Sequence, residues 1–171
     1  MTMKLIESKT LTGTQASIEF TSIPQDGTDL VILTSVRDNG GVGQATNISF
    51  NGSTSNFSSR YLYGSGSSAS SGTLARYVGS TRSDNTANTF NSTTIYIPNY
   101  TGSTNKSYSV DNVTENNATA ADQNIIAGLW SDTSAITSIT ISPNANSWVS
   151  GSTISLYKIT KGSDGIVTTS P

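Results

Sequence analysis

The sequence predicts an all-β fold: an antiparallel β-sandwich, jelly-roll-like, with about ten short strands and negligible helix. Many short runs alternate apolar with polar residues, and clusters of turn residues separate them at fairly regular spacing, which is the pattern of a sandwich or a barrel. Only 33% of the residues are hydrophobic and 12% are charged. The chain is rich in Ser, Thr, Asn and Gly, which favour turns and disfavour helix. A barrel is the alternative architecture.

The densest apolar run, DLVILTSVR at residues 29–37, is predicted to be the central strand. Side chains alternate between the two faces of a strand, and at the start of this run both sets are apolar. We therefore expect the strand to be covered on both faces, with Ile32 and Leu33 buried on opposite sides. Turn residues at 24–27 and 38–41 bound the run.

The remaining strands follow in chain order, each bounded by turn residues. They are predicted at residues 4–10, 16–21, 46–50, 60–63, 74–79, 89–97, 106–110, 125–130, 137–142 and 153–159. The segment GSGSSASSG at 64–72 has the composition of a flexible linker. We interpret it as a long surface loop, because neither flanking half of the chain has an obvious core of its own. Only residues 115–123 could form a helical turn or two. Residues 1–162 are expected to form a single domain, and 163–171 a C-terminal tail.

Charge and missing residue types exclude several classes of function. The net charge is −2 and the 9 basic residues are scattered, so no basic patch for nucleic acid is expected. The chain has no Cys and no His, which removes disulfides, thiolate metal sites and the commonest acid–base catalyst. There is no apolar run of about 18 residues, and residues 1–7 lack the apolar stretch of a signal peptide. We therefore expect a chain that is made in the cytoplasm and does not enter a membrane.

No residue pattern indicates catalysis. The 11 acidic residues mostly stand beside turn residues, where Asp normally bonds its own backbone. No two of them stand out in the sequence as the pair of carboxylates that a glycosidase brings together in a cleft. A calcium site could be built from Asp, Asn and loop carbonyls, but the DxDxDG spacing is absent. The glycine cluster at 39–43 is interpreted as a turn, because no helix pattern follows it to hold a phosphate. We expect a non-enzymatic protein with no cofactor and no metal site.

The aromatic residues are the most informative side chains for function. Seven Tyr, four Phe and two Trp are many for so polar a chain, and Tyr and Trp are enriched at interfaces. A candidate carbohydrate-binding or subunit-facing surface is formed by Tyr61, Tyr63, Tyr96, Tyr100, Trp130 and Trp148. Packing in the core or at its margin is the alternative for each of them.

Three segments carry a resemblance to a known group of proteins. They are IESKTLTGTQASIEFTSIPQDGTDLVIL at 6–33, YIPNYTGSTNKSYSVDNVTENNATA at 96–120 and WVSGSTISLYKI at 148–159. In these segments the chain resembles small virion-associated proteins of tailed bacteriophages, especially marine and cyanobacterial ones. The resemblance implies a jelly-roll-like fold and a location in the virion. It supplies no site residue.

The resemblance leaves two placements open. The first is a capsid decoration (cement) protein on the outer capsid surface, which binds the major capsid protein or other virion proteins. The alternative is a receptor-binding module of a tail or head fibre, which recognises host surface glycans. Both placements imply a homotrimer, since capsid shells offer threefold positions and fibres are commonly trimeric. A glycan-cleaving enzyme is a third class, which the missing His and the unpaired acids disfavour.

Overall fold

The computed structural model describes residues 2–41, 43–116 and 121–160, and within these ranges the chain is all β with no helix. Twelve strands are formed in these residues, one more than the eleven segments predicted. They are β1 (Thr2–Thr10), β2 (Ile18–Phe20), β3 (Asp29–Ser35), β4 (Gln44–Phe50), β5 (Phe57–Gly64), β6 (Ala69–Leu74), β7 (Tyr77–Thr81), β8 (Ser92–Ile97), β9 (Lys106–Thr114), β10 (Asp122–Trp130), β11 (Ile139–Pro143) and β12 (Thr153–Thr160).

The strands form two antiparallel sheets that pack as a sandwich. The large sheet has the order β1-β12-β3-β8-β9-β10-β5-β6, and the small sheet has the order β2-β11-β4-β7. The four strands β1-β12-β3-β8 and the four strands of the small sheet have the two-sheet order of a jelly roll, which confirms the predicted fold. The hairpins β5–β6 and β9–β10 extend the large sheet beyond β8, so the large sheet is twice as wide as the small one.

The core lies between the two sheets. It is built from the inward-facing residues, which alternate with outward-facing residues along each strand. Ile32, Ile48 and Ile95 are fully buried there, as are both tryptophans. At one end, Phe50 packs edge-on against Trp130, with 5.5 Å between the ring centroids. One continuous cluster of buried apolar side chains therefore joins strands of both sheets.

The position of β3 is confirmed, but its predicted cover on both faces is wrong. β3 lies inside the large sheet, between β12 and β8. Leu30 and Ile32 face the small sheet and are fully buried, whereas Leu33 points to the outer face and is 38% exposed. The sandwich has only two layers, so no part of the described chain covers the outer face of the large sheet.

The predicted loop at 64–72 is instead the turn of a β-hairpin together with the first residues of its second strand. Its turn is short, because the Ser65 backbone N–H donates to the Ser68 carbonyl at 3.0 Å and the Ser65 hydroxyl accepts from the Ser68 N–H at 3.2 Å. The next residues form the edge strand β6, which needs few apolar side chains because it pairs with β5 through its backbone. Of the possible helical segment 115–123, the last two residues belong to β10 and residues 117–120 lie outside the described ranges, as does the expected tail at 163–171.

Candidate functional site

The six aromatic residues predicted as one surface are divided between three places. Tyr100, Trp130 and Trp148 are at most 1% exposed, so the prediction that they form a surface is wrong for these three. They pack in the core, which was the alternative interpretation. The Tyr100 hydroxyl donates a hydrogen bond to the Pro24 carbonyl. Of the others, Tyr96 lies on the outer face of the large sheet. The inner face of β5 carries Tyr61 and Tyr63.

Tyr61 and Tyr63 line a cleft where the large sheet extends past the small one. The strands β5 and β6 have no small-sheet strand above them, since β7 is the last strand of that sheet and packs over β9 and β10. The cleft has a volume of about 350 Å³, and its principal lining residues are Tyr61, Tyr63, Tyr77, Arg82, Asp122 and Asn124. We call it the hairpin cleft.

A buried carboxylate stands at the charged centre of the hairpin cleft. Asp122 is 3% exposed and accepts hydrogen bonds from the Tyr63 hydroxyl at 2.9 Å and the Ser80 hydroxyl at 3.3 Å. Arg82 Nη1 lies 3.3 Å from the same carboxylate, and Arg82 Nη2 lies 2.8 Å from the carboxylate of Asp84. The hydrogen bond to Asp122 raises the pKa of Tyr63, and the Arg82 guanidinium lowers the pKa of Asp84. Both carboxylates of the cluster are therefore already engaged by Arg82.

Amide side chains form a rigid floor beneath this cluster. Asn124 is fully buried; its Oδ1 accepts from the Tyr77 hydroxyl at 3.1 Å and its Nδ2 donates to Asn112 Oδ1 at 3.0 Å. Asn112, also fully buried, holds the Ser80 backbone N–H at 3.0 Å. Burial raises the pKa of Tyr77. Because each amide is fixed by several partners, the floor holds the residues above it in one arrangement.

Tyr61 forms one wall of the cleft, and its ring is held in place. It stands directly opposite Gly72 in the β5–β6 pair, and a side chain at position 72 would place its Cβ 2.5 Å from the Tyr61 hydroxyl. The ring also packs edge-on against Tyr77, with 5.1 Å between centroids. Gly72 is thus required for the close approach of the ring rather than for backbone freedom.

A second feature lies on the opposite side of the same hairpin. Leu62 and Ile125 form a directly opposed pair on the outer face of the large sheet and are 62% and 59% exposed. Around them is a shallow depression of about 590 Å³, lined mainly by apolar atoms and bounded by Arg60, Thr73 and Ala127. We call this the outer patch. Leu62 and Ile125 belong to a row of residues that are paired across neighbouring strands, and this row continues across the sheet to Leu33.

Sequence reasoning found two tyrosines of the hairpin cleft and missed its charged and amide residues. Asp122, Asn124 and Arg82 carry no motif, and they meet only because β10 pairs with β5 and β7 crosses above. Leu62 and Ile125 of the outer patch lie in two of the predicted strands but were not predicted as surface residues. The described residues contain no group of three or more His, Cys, Asp or Glu that could hold a metal ion.

Comparisons with known proteins leave the functional argument to these residues. No protein-family model, no curated protein and no solved structure matches the chain. Within the described ranges, no helix has the length and apolar character needed to cross a membrane.

Proposed function

We propose that this protein is a non-enzymatic structural protein of a bacteriophage virion, and more specifically a capsid decoration protein. The outer patch is the observation that carries the proposal, together with the resemblance of the sequence to small virion-associated proteins. In this proposal the outer face of the large sheet binds the major capsid protein or another virion protein. The protein would be located in the virion after synthesis in the host cytoplasm.

The outer patch has the chemistry of a protein-binding surface. Two large aliphatic side chains, Leu62 and Ile125, stand more than half exposed at its centre, while the exposed charges of Arg60 and Asp111 lie on the neighbouring strand positions. An apolar centre with a polar rim is the usual anatomy of a protein interface. A sheet face is also rigid, so binding on it orders few side chains and loses little conformational entropy.

The contacts in the hairpin cleft support a non-catalytic role. A general base must be able to take a proton from a substrate within hydrogen-bond reach. Asp122 is engaged by Tyr63, Ser80 and Arg82, and Asp84 is engaged by Arg82. Glycoside hydrolysis requires two available carboxyl groups that flank the scissile bond. Asp122 and Asp84 are both already hydrogen-bonded and do not form such a pair.

A fibre location is the second candidate, and the hairpin cleft is the feature that favours it. A receptor-binding module must hold a host surface glycan, and a cleft lined by tyrosines and fixed polar groups suits that task. The copy number per virion separates the two placements. Hundreds of copies indicate decoration, whereas a handful to a few dozen indicate a fibre or tail part.

Binding to capsids that lack this protein tests the decoration proposal. We expect the wild-type protein to co-sediment with such capsids and the double variant Leu62→Asp, Ile125→Asp to lose at least tenfold in affinity, because charge would replace the apolar centre. Met3→Asp is the matched control: Met3 is 49% exposed on β1, at the opposite edge of the same sheet. Unchanged co-sedimentation of the double variant, or absence of the wild-type protein from capsids, would contradict the proposal.

A further inference from the structure

We propose that the hairpin cleft binds an uncharged pyranose saccharide, packed against Tyr61 and Leu74 and hydrogen-bonded by Tyr63 and Arg82. The hairpin cleft is the feature that favours a fibre location, and this inference names the class of ligand that the cleft binds. It shares with the fibre proposal only the expectation that the ligand is a glycan. It does not depend on where in the virion the protein resides, or on the outer patch.

The size and walls of the hairpin cleft suit one or two sugar rings. Its volume of about 350 Å³ lies at the small end of the range for ligand pockets, about 300–1,000 Å³. Most of its lining residues lie on strands of the two sheets, whereas Arg82 follows the end of β7 directly and is fixed by Asp84 and Asp122. A preformed site loses little conformational entropy when it binds.

The hydrogen-bonding groups at the cleft match sugar hydroxyls, which both donate and accept. The Tyr63 hydroxyl donates to Asp122 and so presents its lone pairs to a ligand hydroxyl. Arg82 bonds Asp84 through Nε and Nη2 and Asp122 through Nη1, which leaves at least one of its five N–H donors for a ligand. The Ser70 and Ser80 side chains also line the cleft.

The apolar groups match the C–H face of a pyranose ring. Tyr61 is half-buried and held by Gly72 and Tyr77, and Leu74 is 44% exposed at the rim on β6. A fixed aromatic ring beside an exposed aliphatic side chain gives a flat apolar contact, while the phenol oxygens remain at the polar edge. The cleft thus pairs an apolar wall with the hydrogen-bonding groups of Tyr63 and Arg82.

Other ligand classes fit the cleft less well. The formal charges of Arg82, Asp84 and Asp122 sum to −1, which disfavours phosphates and acidic sugars. A metal ion would have to displace Arg82 from both carboxylates, and no third ligand of the usual types accompanies them in the described chain. A purely apolar ligand would remove water from the Arg82–Asp122 pair without replacing its hydrogen bonds. An uncharged polyhydroxylated ring avoids all three costs.

Backbone-amide NMR shifts, recorded during titration with defined sugars, test the proposal. The probes are methyl α-D-glucopyranoside, methyl β-D-galactopyranoside and N-acetylglucosamine at millimolar concentrations, with N-acetylneuraminic acid as the acidic comparison. We expect saturable shifts in β5, β7 and β10 with at least one uncharged probe, and binding of the acidic sugar to be about tenfold weaker or absent. A lack of saturable shifts in these strands with all three uncharged probes would overturn the proposal.

Two tyrosine variants distinguish specific binding in the hairpin cleft from nonspecific binding elsewhere on the protein. Tyr63→Phe removes a hydroxyl bonded to Asp122, and we expect the affinity for the bound probe to fall about tenfold. Tyr96→Phe is its matched control, because Tyr96 bonds Asp29 at 3.1 Å in the same way but on the outer face. Unchanged binding by Tyr63→Phe, with both variants folded by circular dichroism, would overturn the assignment. Capsid co-sedimentation of the same two variants reports on decoration separately, so failure of one proposal is distinguishable from failure of the other.

Discussion

At the scale of single residues, the interior contains many polar side chains, and several long side chains are hydrogen-bonded to backbone carbonyls. Lys106 is 1% exposed and its Nζ donates to the carbonyl oxygen of Gly102 at 2.6 Å. The Arg37 guanidinium donates to four carbonyls between residues 83 and 89. Because a buried polar group costs little once it is hydrogen-bonded, a chain with 33% hydrophobic residues forms a continuous core.

Truncation of neighbouring residues in β3 should have unequal effects. Ile32→Ala removes a fully buried side chain and should lower the free energy of unfolding by about 2–5 kcal/mol, through lost burial and the cavity left behind. Leu33→Ala changes a side chain that is 38% exposed and should cost roughly 0.5 kcal/mol. Denaturant unfolding of both variants measures the difference. Equal losses would show that a partner covers the outer face in solution.

The tyrosines should make the protein sensitive to alkaline pH. Burial raises the pKa of Tyr77 and Tyr108 above the usual value, and the unfolded chain ionises its tyrosines near pH 10. Their contribution to stability is therefore fully present below about pH 10 and is lost as the pH rises through the folded pKa. The pKa of Lys106 is lowered by burial, which gives an opposing contribution from a single group.

Tyrosinate absorbance and far-ultraviolet circular dichroism, recorded together between neutral pH and strong alkali, check this expectation. We expect the buried tyrosines to ionise in the same pH range in which the β signal is lost. Ionisation of all seven tyrosines near pH 10 with an unchanged β signal would contradict it.

At the scale of strands, the sequence allowed prediction where the inward residues are apolar and failed where they are polar. β9 alternates inward and outward over its whole length, but only its first half was predicted, because its last inward residues are Asn112 and Thr114. Conversely, Leu33, Leu62 and Ile125 are apolar and point outward. Neither a buried amide network nor an exposed apolar pair follows from local pattern, since both depend on which strands become neighbours.

The hairpin cleft illustrates the same limit. Tyr61 and Tyr63 stood out as aromatic residues, but Asp122 and Asn124 are 59 and 61 positions away from Tyr63 in the chain. The strand β6, which completes the cleft, contains almost no apolar residues and reads as loop. Backbone pairing with β5 favours its formation. The alternation of apolar and polar side chains, from which strands were predicted, does not reveal such pairing.

A buried glycine in β10 gives a test of packing at this scale. Gly128 stands opposite Tyr108, and an added Cβ would lie 2.0 Å from the Tyr108 ring. Gly128→Ala should therefore reduce the free energy of unfolding by roughly 1–3 kcal/mol, because the ring is buried and must move. Gly13→Ala is the control, since a Cβ there meets nothing within 4 Å. Equal thermal stability of the two variants would contradict the described packing.

At the scale of the whole molecule, we predict a homotrimer as the working unit. The outer patch lies on the face of the large sheet that the small sheet does not cover, and symmetric assembly is a common way to bury such an exposed apolar surface. Light scattering of the purified protein should give about three times the chain mass of 17.8 kDa. A mass of one chain at micromolar concentration would contradict a trimer that forms without other virion proteins.

The order of strands in the large sheet has a consequence for how the chain folds. β12 lies between β1 and β3, and Thr2 pairs with Thr160. During synthesis β1 therefore has no partner, and one edge of β3 stays open, until residues 153–160 leave the ribosome. Pairings over such long sequence distances are slow to form, so we expect refolding on a timescale of roughly milliseconds to seconds or longer, with the N-terminal strand among the last to dock. Refolding that reaches the native signal within microseconds would contradict this timescale.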